Sequence, residues 1–273
     1  MPYFIWAAVA LLYAPILKIL YLSRWETIDY THAYFILPVS LWLVWRKRTE
    51  LSSIVKSSPQ AAHRPSSFVS LSFLTLGLLM FIFGWRQEYL FISTLSLIPL
   101  LFGLSGYLYG GQVAQQLAFP ILYLLLMVPP PLGVLDSITL PMRQGISVVT
   151  AGIIQFFHYP LTRDGLLLSI GGHEIYMGAP CSGFRSLITM ISLGLVYAYI
   201  NKGTFKKKSI LISSIVPLAL LGNLIRVVGM CLVTFYMGEE AGKKYHDASG
   251  FVIFLVLIAG LIGLEALLDR KKK

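Results

Sequence analysis

Long apolar runs alternate with short polar segments along almost the whole chain. Several runs reach or approach the roughly 20 residues that a helix needs to cross the hydrocarbon layer of a membrane. Counted between the polar segments, they predict about eight crossings, at residues 3–22, 33–46, 67–85, 89–110, 118–134, 183–201, 209–237 and 250–268. The pattern therefore predicts an all-α polytopic membrane protein, with residues 1–273 forming a single integral domain.

The segment 136–159 is nearly as apolar as the predicted crossings, but a ninth crossing there would reverse the side on which every later connection lies. It carries Asp136, Arg143, Gln144 and Gln155 among Ile, Val and Phe residues. This mixture is typical of an amphipathic helix that lies in the membrane interface. We therefore predict an outer interfacial helix over residues 136–159.

A short β-hairpin is predicted directly after this helix. Residues 166–170 and 173–177 read as strands on either side of the Gly171-Gly172 pair, which is a typical two-residue hairpin turn. We expect residues 160–180 to form an extracytoplasmic hairpin that leads into Cys181.

Composition supports the membrane assignment and argues against nucleic-acid, disulfide and zinc-binding functions. The chain is 56% hydrophobic and 12% charged, whereas an average soluble domain is about 25% charged. The net charge is +10, but the basic residues fall in short clusters between apolar runs, so we expect no nucleic-acid partner. Two cysteines are too few for a disulfide framework and the wrong number for a structural zinc site. We expect neither a metal ion nor another cofactor.

The basic clusters also predict the topology, because short loops rich in lysine and arginine face the cytoplasm. The clusters are Arg46–Arg48 with Lys56 and Arg64, Lys202 with Lys206–Lys208, and Arg270–Lys273. With eight crossings, this predicts a multi-pass protein of the cell (inner, cytoplasmic) membrane that has both termini in the cytoplasm. The segment 159–180 then faces outward, and only the Lys243–Lys244 pair runs against the trend.

Arg226 is a charged residue within a predicted crossing, where placing its side chain in lipid costs free energy. The inner end of its crossing is Ser209, and Arg226 lies 17 residues after it. That separation is roughly 25 Å of helix rise, which places Arg226 in the outer half of the membrane. Charged groups at such depth usually face a bundle interior and mark function. The alternative is an arginine that extends to the interface or caps a neighbouring helix. Asn223 lies three residues earlier on the same helical face and could orient the guanidinium.

Cys181 is the candidate nucleophile. Pro180 precedes it, so the cysteine is expected at the start of the next helix, and Arg185 lies one turn later and can reach back toward the sulfur. A helix N-terminus and two nearby guanidinium groups, those of Arg185 and Arg226, would lower the pKa of the thiol. The alternative is a cysteine that only packs, which is how we interpret the deeply apolar Cys231.

His246 is predicted to complete the site. It precedes the last crossing beside Asp247, on the outer side where it could reach Cys181. The alternative is an ordinary loop histidine.

Three motifs occur in order: Cys181-Ser-Gly-Phe-Arg-Ser186, Asn223-Leu-Ile-Arg226 and Tyr245-His246-Asp247. With them the chain resembles the exosortase and archaeosortase family of multi-spanning sorting enzymes. Two upstream segments, Phe119–Pro130 and Thr31–Pro38, are similar to family blocks. In the second, Ala33 replaces an expected glycine, and we assign His32 no catalytic role.

The resemblance implies a cysteine transpeptidase or protease at the outer face of the membrane. Its substrates would be membrane-anchored proteins that end in a short motif, a transmembrane helix and a basic tail. The Cys181 thiolate would form a thioester, His246 would act as acid and base, and Arg226 would stabilise the thiolate or the oxyanion. Arg185 and Asn223 would support them. The acceptor stays open between water, which makes a protease, and an amine, lipid or glycan group, which makes a transpeptidase.

A different class of protein also fits the sequence. In a transporter or assembly factor, Arg226 and Arg185 would bind an anionic lipid or a sugar-phosphate, and Cys181 would only pack. The chain lacks the paired broken helices and inverted repeats common in transporters.

Overall fold

The computed structural model of the protein describes residues 2–25, 32–57, 68–131, 133–201 and 203–270. Some of the sequence assignments lie outside these residues: Thr31 of the early family block, Arg64, Lys202 and Lys271–Lys273 of the basic clusters, and residues 58–67 of the cytoplasmic connection. The chain divides into two compact units, Met1–Pro131 and Leu132–Lys273. The interpretation of the whole chain as one domain stays a prediction.

The described residues of the first unit form helices joined by short connections. Its helices are α1 (Pro2–Leu20, continued by a π-helical turn at Tyr21–Trp25), α2 (Ala33–Arg46), α3 (Arg48–Ser57), α4 (Phe68–Arg86), α5 (Leu90–Leu95), α6 (Leu97–Tyr109) and α7 (Gly111–Tyr123, continued by a 3-10 turn at Leu124–Met127). Helices α4 and α6 pack closely because Gly103 has no side chain. A Cβ at this position would collide with the backbone of Leu74.

The second unit contains every candidate catalytic residue. It comprises α8 (Val134–Phe156), three strands β1 (Leu161–Asp164), β2 (Leu167–Ile170) and β3 (His173–Tyr176), a 3-10 turn at Ala179–Ser182, and three helices α9 (Phe184–Ile200), α10 (Phe205–Met237) and α11 (Glu239–Arg270).

The membrane assignment is confirmed. Among the described residues, five helices are long and apolar enough to cross a membrane, namely Tyr3–Ser23, Phe68–Arg86, Leu90–Tyr109, Phe205–Met237 and Glu239–Leu268. Three shorter apolar helices, Ala33–Arg46, Gly111–Met127 and Phe184–Ile200, occupy the remaining predicted positions. The protein is an all-α polytopic membrane protein with a small sheet.

Two predicted boundaries were wrong. The crossing placed at 118–134 begins at Gly111 and ends at Met127, because Pro129, Pro130 and Pro131 cannot continue a helix. The last helix begins at Glu239 rather than near residue 250, directly after Gly238, whose φ is +86°. His246 therefore lies within a helix and not in a loop.

The predicted hairpin forms, but it belongs to a three-stranded antiparallel sheet in the order β1-β2-β3. The β2–β3 turn falls at Gly171-Gly172 as predicted, with φ values of +57° and +85°. Strand β1 was missed because Leu161 is its only buried residue, so it lacks the alternation that marks a half-buried strand.

One hydrophobic core joins α8, the sheet, the Cys181 turn and α10. Its buried members include Ile146 and Ile154 of α8, Leu168 and Ile170 of β2, Ile175 of β3, Cys181, and Val227 and Cys231 of α10. The core places Cys181 between α8 and the long helix that carries Arg226.

The opposite end of this unit is held by charged and polar groups. Lys207 Nζ lies 2.6 Å from Glu265 Oε1, and Asn201 Nδ2 donates a hydrogen bond of 2.6 Å to the same oxygen. The lysine and glutamate side chains are largely buried. These contacts tie the end of α9 and the start of α10 to the far end of α11.

Candidate active site

Cys181 lies in the 3-10 turn and not in the first turn of α9. Gly183, with a left-handed φ of +75°, separates the turn from the helix, which begins at Phe184. The Cys181 amide donates to the Gly178 carbonyl at 3.0 Å, and the residue is 6% exposed. The prediction that the cysteine starts the helix was wrong, because Gly183 ends the turn before the helix can begin.

Asn223 holds this turn from α10. Its Nδ2 donates a hydrogen bond of 2.9 Å to the Cys181 carbonyl oxygen. A Cβ at Gly183 would lie 2.7 Å from Asn223 Cγ. Gly183 is thus required for two reasons, its positive φ and the space that Asn223 occupies.

His246 faces the sulfur. Its Nε2 lies 3.7 Å from Cys181 Sγ, which is within hydrogen-bonding range for a sulfur atom, and both residues are buried. Because α11 begins at Glu239, the histidine projects from a helix, and 65 residues separate it from the cysteine along the chain.

Arg226 binds His246 rather than the sulfur. Its Nη2 donates to the His246 carbonyl oxygen at 2.8 Å and contacts the ring Nδ1 at 3.1 Å, while its Nε donates to the same carbonyl at 3.1 Å. A guanidinium has no acceptor, so Nδ1 must accept the ring contact. A neutral His246 then carries its proton on Nε2, which faces Cys181.

Asp247 provides an acceptor on the same ring nitrogen. Its Oδ1 lies 3.6 Å from His246 Nδ1, and its side chain is 87% exposed. The Nδ1 atom therefore lies between a donor, Arg226, and an acceptor, Asp247. The first favours the tautomer with the proton on Nε2, and the second favours protonation of Nδ1.

The chain matches the family model for transmembrane exosortases over residues 25–263. It belongs to the exosortase family. The matched range includes every residue of the site from Cys181 to His246, so the resemblance seen in the sequence motifs is confirmed at the level of the family. No curated protein and no solved structure gives a significant match.

The Cys181 thiol has a raised pKa, opposite to the prediction. Burial raises the pKa of the thiol, while the charge of Arg226, the backbone contact with Gly178 and the charge of Arg143 act to lower it. The sequence argument counted the arginines but could not measure the loss of water around the sulfur, which is the largest effect.

Two other arginines are placed differently from the prediction. Arg185 is exposed, and its guanidinium does not reach back to the sulfur in the part of the chain that the structure describes. Arg143, predicted only as a polar residue of the interfacial helix, has a side chain that is 11% exposed and acts electrostatically on Cys181. Its position three residues before the buried Ile146 was a signal that it shares the buried face of α8.

Within the described ranges of the chain, no cluster of His, Cys, Asp and Glu side chains has the arrangement of a metal site. Cys231 is fully buried in the shared core, and both cysteines are free thiols.

Proposed function

We propose that the protein is a cysteine transpeptidase or protease that removes the C-terminal sorting tails of membrane-anchored exported proteins. The observation that carries this proposal is the 3.7 Å contact between Cys181 Sγ and His246 Nε2, with His246 held by Arg226. A buried thiol, an imidazole within reach and a group that orients the imidazole form the arrangement needed for covalent catalysis. Membership of the exosortase family supports the same reaction class.

The first half-reaction begins with the protonated thiol that burial favours. Before it can accept, His246 must lose its resting proton from Nε2 and carry it on Nδ1 instead, the tautomer that the Asp247 carboxylate 3.6 Å away favours. Nε2 then takes the thiol proton, and Asp247 stabilises the imidazolium that results. The thiolate then attacks the scissile carbonyl carbon, a carbon–sulfur bond forms, and the carbonyl electron pair moves to oxygen. When the intermediate collapses, the carbon–nitrogen bond breaks and His246 returns the proton to the leaving nitrogen. The products are a thioester on Cys181 and a released tail with a free amine.

The second half-reaction runs in the opposite direction. His246 Nε2 takes a proton from the acceptor, which attacks the thioester carbon, and the sulfur leaves with its electron pair and is reprotonated. Water as acceptor makes the reaction a hydrolysis, whereas an amine, a lipid head group or a glycan makes it a transfer. The contacts of Cys181 and His246 serve either acceptor equally.

Arg226 acts in this scheme mainly through His246. Its Nε and Nη2 atoms are bound to the histidine carbonyl and ring. The guanidinium therefore fixes where the imidazole lies and which tautomer it adopts at rest. Asn223 acts similarly on the nucleophile, since it binds the Cys181 carbonyl oxygen.

Two features support a site on the outer side of the membrane. The Lys206–Lys208 cluster at the start of α10 lies about 18 residues from Arg226, or roughly 27 Å of helix rise, and short basic segments face the cytoplasm. The end of the unit near the sheet instead carries exposed aromatic side chains, as membrane interfaces do: Phe156, Phe157, Tyr176 and Tyr236.

The rival proposal is a transporter or assembly factor that binds an anionic lipid or sugar-phosphate. The direct contact of Cys181 with His246 favours the enzyme, because a cysteine that only packs needs no imidazole beside its sulfur. The decisive experiment co-expresses the protein with an exported protein that carries a tripartite tail. Cys181→Ala should abolish cleavage and the thioester adduct that hydroxylamine releases, while Cys231→Ala should retain both. Cleavage by Cys181→Ala at the wild-type rate would favour the rival.

A further inference from the structure

Arg143 is a largely buried cation with few hydrogen-bond partners of its own. Its side chain is 11% exposed, and its ion-pair partner is Asp136, at 3.8 Å, whose side chain is 79% exposed. Its Nε atom has no hydrogen-bond partner among the described residues. Burying a charge in this way is costly unless another group compensates it, so the position calls for a function.

Other polar atoms on the buried face of α8 also lack hydrogen-bond partners within the described ranges. The Oγ1 atoms of Thr139 and Thr150 are also buried without a hydrogen-bond partner in the described part of the chain. On α10, Asn223 Oδ1 is also buried without a hydrogen-bond partner among the residues that the structure describes. The other amide atom, Asn223 Nδ2, donates to the Cys181 carbonyl oxygen. Unpaired buried polar atoms are rare in proteins, and among these Asn223 Oδ1 belongs to a side chain that contacts Cys181.

Packing brings Arg143 to the nucleophile. Helix α8 packs directly on the 3-10 turn that carries Cys181, and Ile146, one turn after Arg143, belongs to the same core as Cys181. The guanidinium is close enough for its charge to lower the pKa of the Cys181 thiol. Arg226, by contrast, commits its Nε and Nη2 atoms to His246.

We propose that Arg143 is the second cation of the Cys181 site and binds the anion that forms there, first the thiolate and then the oxygen of the tetrahedral intermediate. This inference rests on the proposed function. As the carbon–sulfur bond forms, the carbonyl electron pair moves to oxygen and the negative charge moves with it. Arg143 donates a hydrogen bond to that oxygen, since a guanidinium offers only donors. The attack therefore requires no additional proton transfer.

The assignment gives the two arginines different tasks. Arg226 orients the acid–base residue and exerts the larger charge effect on the thiol, whereas Arg143 offers a hydrogen-bond donor to the anion that forms. It also explains why an arginine lies on the buried face of an interfacial helix, where an apolar residue would pack at lower cost.

The test compares Arg143→Gln and Arg143→Lys in the full-length protein, in a Cys231→Ala background that leaves one thiol. The matched control is Arg163→Gln, because Arg163 also lies in the outer part of this unit but donates to the Gly165 carbonyl at 2.8 Å. The first readout is the rate of Cys181 alkylation by iodoacetamide as a function of pH. Arg143→Gln should move the midpoint to higher pH and slow labelling about tenfold at neutral pH, Arg143→Lys should restore part of the rate, and the control should label like the parent.

The second readout is the cleavage of a tailed substrate. Arg143→Gln should lower kcat by about 10²- to 10³-fold, as the loss of an oxyanion donor does, with little change in KM. Arg143→Lys retains the charge, so it distinguishes electrostatics from misfolding if Arg143→Gln does not remain monodisperse in detergent. Labelling and turnover equal to those of the control would overturn the proposal.

The two readouts separate this inference from the proposed function. Alkylation requires no substrate, so a shifted labelling midpoint supports the role of Arg143 at the thiol even if the wild type cleaves no tailed protein. Absence of cleavage in the wild type would instead count against the proposed function. A shifted midpoint with unchanged kcat would overturn the oxyanion role.

Discussion

The Arg226 guanidinium holds His246 at two points, with Nη2 2.8 Å from the carbonyl oxygen and 3.1 Å from the ring Nδ1. This is the reverse of a Ser-His-Asp triad, where a carboxylate accepts a hydrogen bond from Nδ1 and leaves Nε2 free to act as a base. A donor on Nδ1 keeps the proton on Nε2 instead. The exposed Asp247 carboxylate on the same nitrogen is the group that can reverse this preference.

Replacing Arg226 with lysine should remove the contact that the planar guanidinium makes with both the carbonyl and the ring of His246, while keeping a positive charge. A single ammonium cannot reproduce the planar arrangement that binds both the carbonyl and the ring of His246. We expect kcat for a tailed substrate to fall about 100-fold or more, in the range of lost acid–base catalysis. Arg185→Lys is the matched control, because Arg185 is exposed, and it should remain near the wild-type rate. Full activity of Arg226→Lys would show that a point charge is sufficient.

Asp247→Ala should impair the step in which His246 acts as a base. The carboxylate is largely exposed, and exposed ion pairs contribute at most about 1 kcal/mol, so we expect a loss of about five-fold in kcat. Glu240→Gln is the control, since Glu240 lies on the same helix and, among the residues that the structure describes, pairs only with the exposed Lys244 at 3.2 Å. Equal rates for both variants would exclude Asp247 from the proton transfer.

The pH dependence of thiol labelling should follow the raised pKa of Cys181. Because burial raises the pKa, the sulfur is protonated at neutral pH and the thiolate fraction grows only as the pH rises through the shifted value. Iodoacetamide should therefore label Cys181, in a Cys231→Ala background, with a midpoint above the roughly 8.5 of an unperturbed cysteine. A midpoint below neutrality would mean that the resting site holds a thiolate.

Gly183→Ala should damage the site more than strain alone explains. Gly183 has a φ of +75°, and an added Cβ would lie 2.7 Å from Asn223. Gly172 has a φ of +85° but open space around it, so Gly172→Ala introduces only the strain, about 1–2 kcal/mol. Thermal unfolding should show a loss of stability in both variants, whereas cleavage should fail only in Gly183→Ala. Full cleavage by Gly183→Ala would mean that the Asn223 contact is dispensable.

Glu265→Gln should destabilise the second unit without altering the chemistry. The Lys207–Glu265 pair is largely buried, and its two charges are 2.6 Å apart. Loss of one partner in a buried pair typically costs about 3–5 kcal/mol. We expect a lower unfolding temperature in detergent, with the Cys181 labelling profile unchanged below that temperature. Glu240→Gln, which breaks an exposed pair, should leave the unfolding temperature unchanged.

Much of the fold follows from local pattern. The lengths of the apolar runs, the Gly171-Gly172 turn and the amphipathic segment before it each depend on neighbouring residues, and the helices, the hairpin and α8 occupy those positions. The wrong predictions also arose from the local sequence pattern. Strand β1 has a single buried residue, and the start of the last helix at Glu239 falls in a polar stretch that hydropathy assigned to a loop.

The order of the motifs also identified the family, since Cys181, Arg226 and His246 have a distinctive spacing. What the spacing could not determine was how these residues meet. The Cys181–His246 contact spans 65 positions and the Arg226–His246 contact 20, and both depend on how α10, α11 and the 3-10 turn pack. The sequence by itself determined which side chains are costly in a membrane. Only the tertiary structure decided that Arg226 binds the histidine and that Arg143 is buried near the sulfur. It also decided that burial outweighs both charges on the thiol, because desolvation and long-range contacts arise from packing between distant segments.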